Sequence, residues 1–168
     1  QGALENAGSK VVLKKKPSLA LSAPTNIGKP EGPAAMPENV LCQPVVHTTR
    51  TGQITTLATS PWAPIVAIGG QKQVLLYNTD NGNLMGVLPF PEGIPYVVRF
   101  SRNGSILLVG GGRGGHSGSV VLYDVKTGNR LTKLGEELDA VLAADISPNL
   151  QQVAMSGPGK IIRVYDVA

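Results

Sequence analysis

From residue 53 onward the apolar residues fall into short runs, such as Val66 to Gly70, Leu107 to Gly111 and Val153 to Gly157, separated by Gly, Pro, Asn and Asp. The runs are four to six residues long, rich in Val, Ile and Leu, and show no helical period. Such runs predict strands joined by tight turns. They are near-continuous rather than alternating, which predicts strands covered on both faces. Before residue 53 the pattern dissolves into Pro, Ala, Gly and Lys.

The runs recur. Ser60, Ser101 and Ser147 each close one apolar run and enter a three-residue turn, at spacings of 41 and 46 residues. A second run ends in small residues, and a third ends in Tyr77-Asn78, Tyr123-Asp124 and Tyr165-Asp166. Asn81-Gly82 and Thr127-Gly128 then supply a turn that returns a fourth strand antiparallel, at Leu84 to Val87 and Leu131 to Leu134. Four strands in about 40–45 residues is the period of a propeller blade. The expected fold is therefore all-β: a partial β-propeller of about three four-stranded blades, residues 53–93, 94–137 and 138–168, behind a mostly irregular N-terminal linker. The third copy lacks the turn glycine and the fourth strand, so the chain reads as a fragment with its last blade truncated.

The Ser-Pro pairs (Ser60-Pro61, Ser147-Pro148), the small-residue strand ends, and Tyr123-Asp124 followed by Thr127-Gly128 resemble the WD-repeat β-propeller family over roughly residues 53–168. Tyr stands where that family often has Trp, Asn78 replaces Asp, and the Gly-His pair that opens many of its repeats is missing. The family's Asp-His-Ser/Thr-Trp network is therefore not carried over. More narrowly, "GALENAGS", the Lys/Pro-rich stretch and "SPWAPIVAIGG" look like the junction in planctomycete-type fusions of a cytochrome c-like domain to WD repeats. That resemblance implies that residues 1–16 end an upstream haem domain, and that the protein is extracytoplasmic. The haem-attachment motif lies outside this chain, so no haem role falls on any residue here.

Charge changes the picture only once it is divided. Most of the net +4 resides in the first 52 residues, with six Lys/Arg against three Asp/Glu, whereas residues 53–168 hold nine against eight. No basic stripe interleaved with aromatics marks a nucleic-acid reader. Residues 17–43, with five of the 13 prolines, read as a linker, and residues 44–52, around Val45 to Thr49, either as a strand closing the last blade of a ring or as a short extended linker. Lys14 to Lys16 read as a solvated spacer. Cys42 is the single cysteine, which leaves no disulfide framework. No run reaches membrane-spanning length.

Motifs that resemble catalytic ones fail on context. Gly110-x-Gly112-x-x-Gly115 follows a strand but precedes another strand, so no helix N-terminus is expected to receive a pyrophosphate. It reads as a flexible insertion between strands two and three. "GHSGS" ends in Ser119 where a nucleophile elbow needs glycine. His47 and His116 lack partners at metal-ligand spacing. Gly159-Lys160 reads as a turn, Asn103-Gly104-Ser105 as β-turn chemistry rather than a glycosylation site, and Trp62 as a packing plug.

The expected function is a non-catalytic interaction scaffold within a larger multidomain protein, with no cofactor in this chain, no nucleic-acid partner and no membrane span. Its partners would be another protein or the parent's remaining blades and domains. Its expected contact loop is Gly111, Gly112, Arg113, Gly114, Gly115, His116 and Ser117, because binding concentrates where a loop varies on a fixed scaffold. The alternatives are the blade set of a haem redox protein, or a propeller enzyme whose site is completed by other blades, with Arg99, Asp139 and Asp145 as local candidates.

Overall fold

A computed structural model describes residues 10–15, 28–30, 32–43 and 52–167. Among these there is no helix. The strands are β1 (Lys10–Lys15), β2 (Thr56–Thr59), β3 (Ile65–Gly70), β4 (Gln73–Asn78), β5 (Leu84–Pro89), β6 (Ile94–Phe100), β7 (Ile106–Arg113), β8 (Ser117–Asp124), β9 (Arg130–Glu137), β10 (Ala143–Ile146), β11 (Gln152–Ser156) and β12 (Ile161–Asp166). They form three four-stranded sheets: β2-β3-β4-β5, β6-β7-β8-β9, and β10-β11-β12 with β1 beyond β12. The eleven strands from β2 onward pair antiparallel in simple meanders, and β1 lies parallel to β12. The anticipated helix end at residues 1–9 and closing strand at Val45 to Thr49 lie outside the described residues.

The repeated turns have repeated causes. The amides of Ser60, Ser101 and Ser147 each donate to a carbonyl five residues on, at 2.9, 2.8 and 2.8 Å. Ser101 Oγ also accepts from Ile106 N and donates to Asn103 Oδ1, and Ser147 Oγ does the same with Gln152 N and Asn149 Oδ1. Asn103 is thus engaged inside its own turn. In the first copy Trp62 replaces that Asn, and Ser60 Oγ accepts from Ala63 N instead. Trp62 does not plug a core. It is 44% exposed, with its indole N–H donating to Arg102 O of the neighbouring turn at 2.9 Å, because a side chain at this turn position points along the surface.

The second turn type is equally local. Asn78 Oδ1 accepts from the amides of Asp80 and Asn81, Asp124 Oδ1 accepts from Thr127 N and Oγ1, and the Gly82 and Gly128 amides return to the carbonyls of residues 78 and 124. Both glycines adopt the left-handed conformation, at φ 72° and 70°, which a side chain would resist.

Two apolar clusters separate the three sheets. One holds Ile65, Ala67, Val74 and Leu76 of the first sheet against Val98, Leu107, Val109, Val121 and Tyr123 of the second. The other holds Ile106, Leu108, Val120, Leu122 and Leu134 of the second against Ala144, Ile146, Val153, Met155 and Tyr165 of the third. The second sheet is therefore covered on both faces, and β7 is buried from Ile106 to Gly112. The flanking sheets are covered on one face: β3 alternates buried and half-buried residues throughout. Continuous apolarity in the sequence thus corresponds to double coverage only in the middle sheet.

Residues 34–40 also contribute to the core. Ala34, Ala35, Met36 and Val40 pack on the first cluster although the prolines around them had marked a linker with no core to bury. An extended segment needs no core of its own when a groove between two sheets receives its apolar side chains.

Candidate interaction surface

The glycine-rich segment is paired strand rather than a flexible insertion. β7 and β8 are eight residues each, and Gly111, Gly112 and Arg113 pair with Ser119, Gly118 and Ser117, leaving Gly114, Gly115 and His116 as the turn. The glycines are there because backbones meet. A Cβ on Gly111 would lie 2.1 Å from Ile94 O, and one on Gly118 would lie 2.1 Å from Asp139 O. Only a residue without a side chain allows three strands and a connection to approach so closely.

This hairpin is tied to the connection leading into the third sheet. Gly115 N donates to Asp139 Oδ1 at 2.8 Å, and Val141 N donates to Gly111 O at 3.3 Å. Beside the tie, Leu138 is 86% exposed. Between it and the β11–β12 turn lies a cleft of about 230 Å³ lined by Glu136, Glu137, Asp139, Pro158 and Arg163, among others. Arg163 pairs with Glu137 across it, joining the second and third sheets. A second hollow holds Glu92, His116, Ser117 and Lys133. Of the seven expected contact residues, Arg113, Gly114, Gly115 and His116 are exposed, Ser117 is half-buried, and Gly111 and Gly112 are buried. The side chains presented at this end of the sheets are thus charged and polar around one bare leucine.

The recurring tyrosines of the repeat occupy unequal environments. Tyr123 is buried between the first two sheets and its hydroxyl donates to Pro89 O on the first sheet's last strand. Arg130 lies 6.0 Å from the Tyr123 ring centroid and pairs with Glu92. Burial pushes the Tyr123 hydroxyl well above its usual range, with nearby Glu92 adding to the effect and Arg130 opposing it. Tyr165 is buried between the second and third sheets, and its hydroxyl is raised by burial and then by Glu137, against Arg163. Tyr77 is half-buried on the outer face of the first sheet, beside Val66 and opposite Leu84.

The residues weighed as catalytic are not brought together. Asp139 Oδ1 accepts from Ala140 N and Gly115 N, Asp145 Oδ1 accepts from Ile146 N, and Arg99 is exposed on β6. No hydrogen bond or ion pair joins any two of them. Gly110, Gly112 and Gly115 are followed by β8, so no helix N-terminus faces them. Among the described residues no three His, Cys, Asp or Glu side chains converge on a metal position, and no helix is long and apolar enough to cross a membrane.

Sequence reasoning overlooked Leu138 and the acidic pair before it, as well as Ala34 to Val40. A signal for the latter was present in the apolar spacing of Ala34, Ala35, Met36 and Val40 between prolines. No protein-family model matches the chain, and no curated protein is detectably similar to it.

Proposed function

We propose that the chain forms consecutive blades of a WD-repeat-like β-propeller and serves as a non-catalytic scaffold for protein interaction. The observation that carries this is the repetition of one packing relation: the first sheet lies on the second as the second lies on the third, with Tyr123 and Tyr165 filling the same place at each junction. A relation that repeats between successive sheets calls for further sheets on the two outer faces.

Those faces support the reading. The first sheet's outer face carries Leu57, 64% exposed, with half-buried Val66, Ile68, Leu75 and Tyr77. The third sheet's carries Ala143, Ala154, Ile162 and Val164. The scaffold role rests on the scattered placement of Arg99, Asp139 and Asp145, and on the polar, leucine-centred surface beside the Arg113–His116 turn, which suits a protein partner.

The test is the behaviour of residues 1–168 alone. The expected result is oligomerisation in light scattering together with strong binding of a hydrophobic dye, both reduced by Leu57→Lys combined with Leu75→Lys. A monodisperse monomer that unfolds cooperatively and binds no dye would overturn the propeller reading.

A further inference from the structure

The outer groove between the first and second sheets already holds a peptide, the chain's own Ala34–Leu41. Val40 sits over two glycines: a Cβ on Gly86 would lie 2.5 Å from Val40 Cγ1, and one on Gly128 would lie 3.0 Å from it. Ala34, Ala35 and Met36 cover the same apolar cluster. Glu38 N donates to Lys126 O at 2.7 Å, Val87 N donates to Leu41 O at 2.8 Å, and the Glu38 carboxylate lies 3.3 Å from Lys126 Nζ. The ion pair is largely exposed, Pro33 and Pro37 contribute no amide, and Leu41 is bare to solvent. These polar ties are few against the entropy of ordering an extended segment.

We infer that this groove is a docking site for an extended segment of another protein with the pattern of Ala34–Leu41, two small apolar residues, Met, an acidic residue and Val four places after the Met, and that Ala34–Leu41 occupies it in competition. The recognition elements are the floor left open by Gly86 and Gly128, the free β5 amide of Val87 once Leu41 departs, and the positive charge of Lys126. A tethered occupant acts at high effective concentration, so an incoming peptide succeeds only when it is better matched or when the tether is released. The inference rests on the scaffold reading, but it is separable from it because light scattering and dye binding report sheet packing and not this groove.

The probe is a fluorescein-labelled peptide of the sequence PAAMPENVL, followed by anisotropy against the full chain carrying Val40→Asp, which expels the resident segment. Saturable binding about ten-fold or more tighter than to the unsubstituted chain is expected, as removal of a tethered competitor requires. Adding Gly86→Ala should abolish it, since the three atoms nearest to a Cβ there all belong to Val40. Lys126→Glu should weaken it, and a peptide with Glu38→Lys should restore it. Failure of the peptide to bind a Val40→Asp chain that keeps its far-ultraviolet spectrum would overturn the inference. If Val40→Asp unfolds the chain, Glu38→Lys opens the same segment by repulsion, and absence of binding to that chain would overturn it equally.

Discussion

The second and first sheets repeat the same strand order and turn positions and differ in what lies against them. Leu107 and Val66 occupy matching positions on β7 and β3, as do Tyr123 and Tyr77 on β8 and β4, and Gly111 within β7 matches Gly70 at the end of β3. In the second sheet each position is buried, while in the first each is half-open. Strand formation needs only the local pattern, whereas the energetic weight of a side chain depends on whether a neighbouring sheet removes it from water.

The widest gap is expected at the glycines. Gly111→Ala drives a Cβ into the backbone of Ile94, which no rotamer relieves, so it should cost about 4 kcal/mol or more by urea denaturation. Gly70→Ala meets only Gln53 O, at 3.8 Å, and should stay within about 0.5 kcal/mol. Equal costs would mean that backbone approaches Gly70 as closely as it approaches Gly111.

The next contrast is at the apolar positions. Leu107→Ala opens a cavity between two sheets and should cost about 3 kcal/mol. Val66→Ala on the outer face should cost less than about 1 kcal/mol while reducing dye binding. A large loss at Val66 would show that the outer face is already covered in solution.

The smallest effect sharpens the comparison through pH. Because the folded Tyr123 hydroxyl titrates above its unfolded value, the neutral form is favoured in the fold; its contribution is complete below about pH 10 and is lost as pH rises beyond that. Tyr123→Phe should cost about 1 kcal/mol at neutral pH, from the unpaired Pro89 carbonyl, and should reduce the alkaline loss. Tyr165, also raised, would keep part of that loss. Tyr77→Phe should change neutral stability by less than about 0.5 kcal/mol. Alkaline curves that coincide for the unsubstituted and Tyr123→Phe chains would remove the buried hydroxyl from the account.

Most of the strands and turns could be read in advance because their causes are local. Ser101 with Asn103, Ser147 with Asn149, and Asp124 with Thr127 make their hydrogen bonds within a few residues, so their spacing announces the turns. The glycine run misled for a physical reason. Gly111 and Gly118 look like parts of a flexible loop in one dimension, yet their conformation answers to Ile94 and Asp139, contacts that lie outside any local sequence window. Trp62 misled in the opposite sense, since aromatic size suggests burial and only the exit angle of the turn leaves it exposed.

The sequence by itself determined the unit: runs too short for helices, turns whose donors and acceptors lie beside one another, and a period near 40–45 residues. Tertiary structure alone decided which of three alike strands would be buried on both faces, that a proline-rich stretch would fill the groove over Gly86 and Gly128, and that the glycine-rich hairpin would be pinned to Asp139. Hydrogen-bonded turns are set by neighbours in the chain, but burial and close backbone approach are set by neighbours in space.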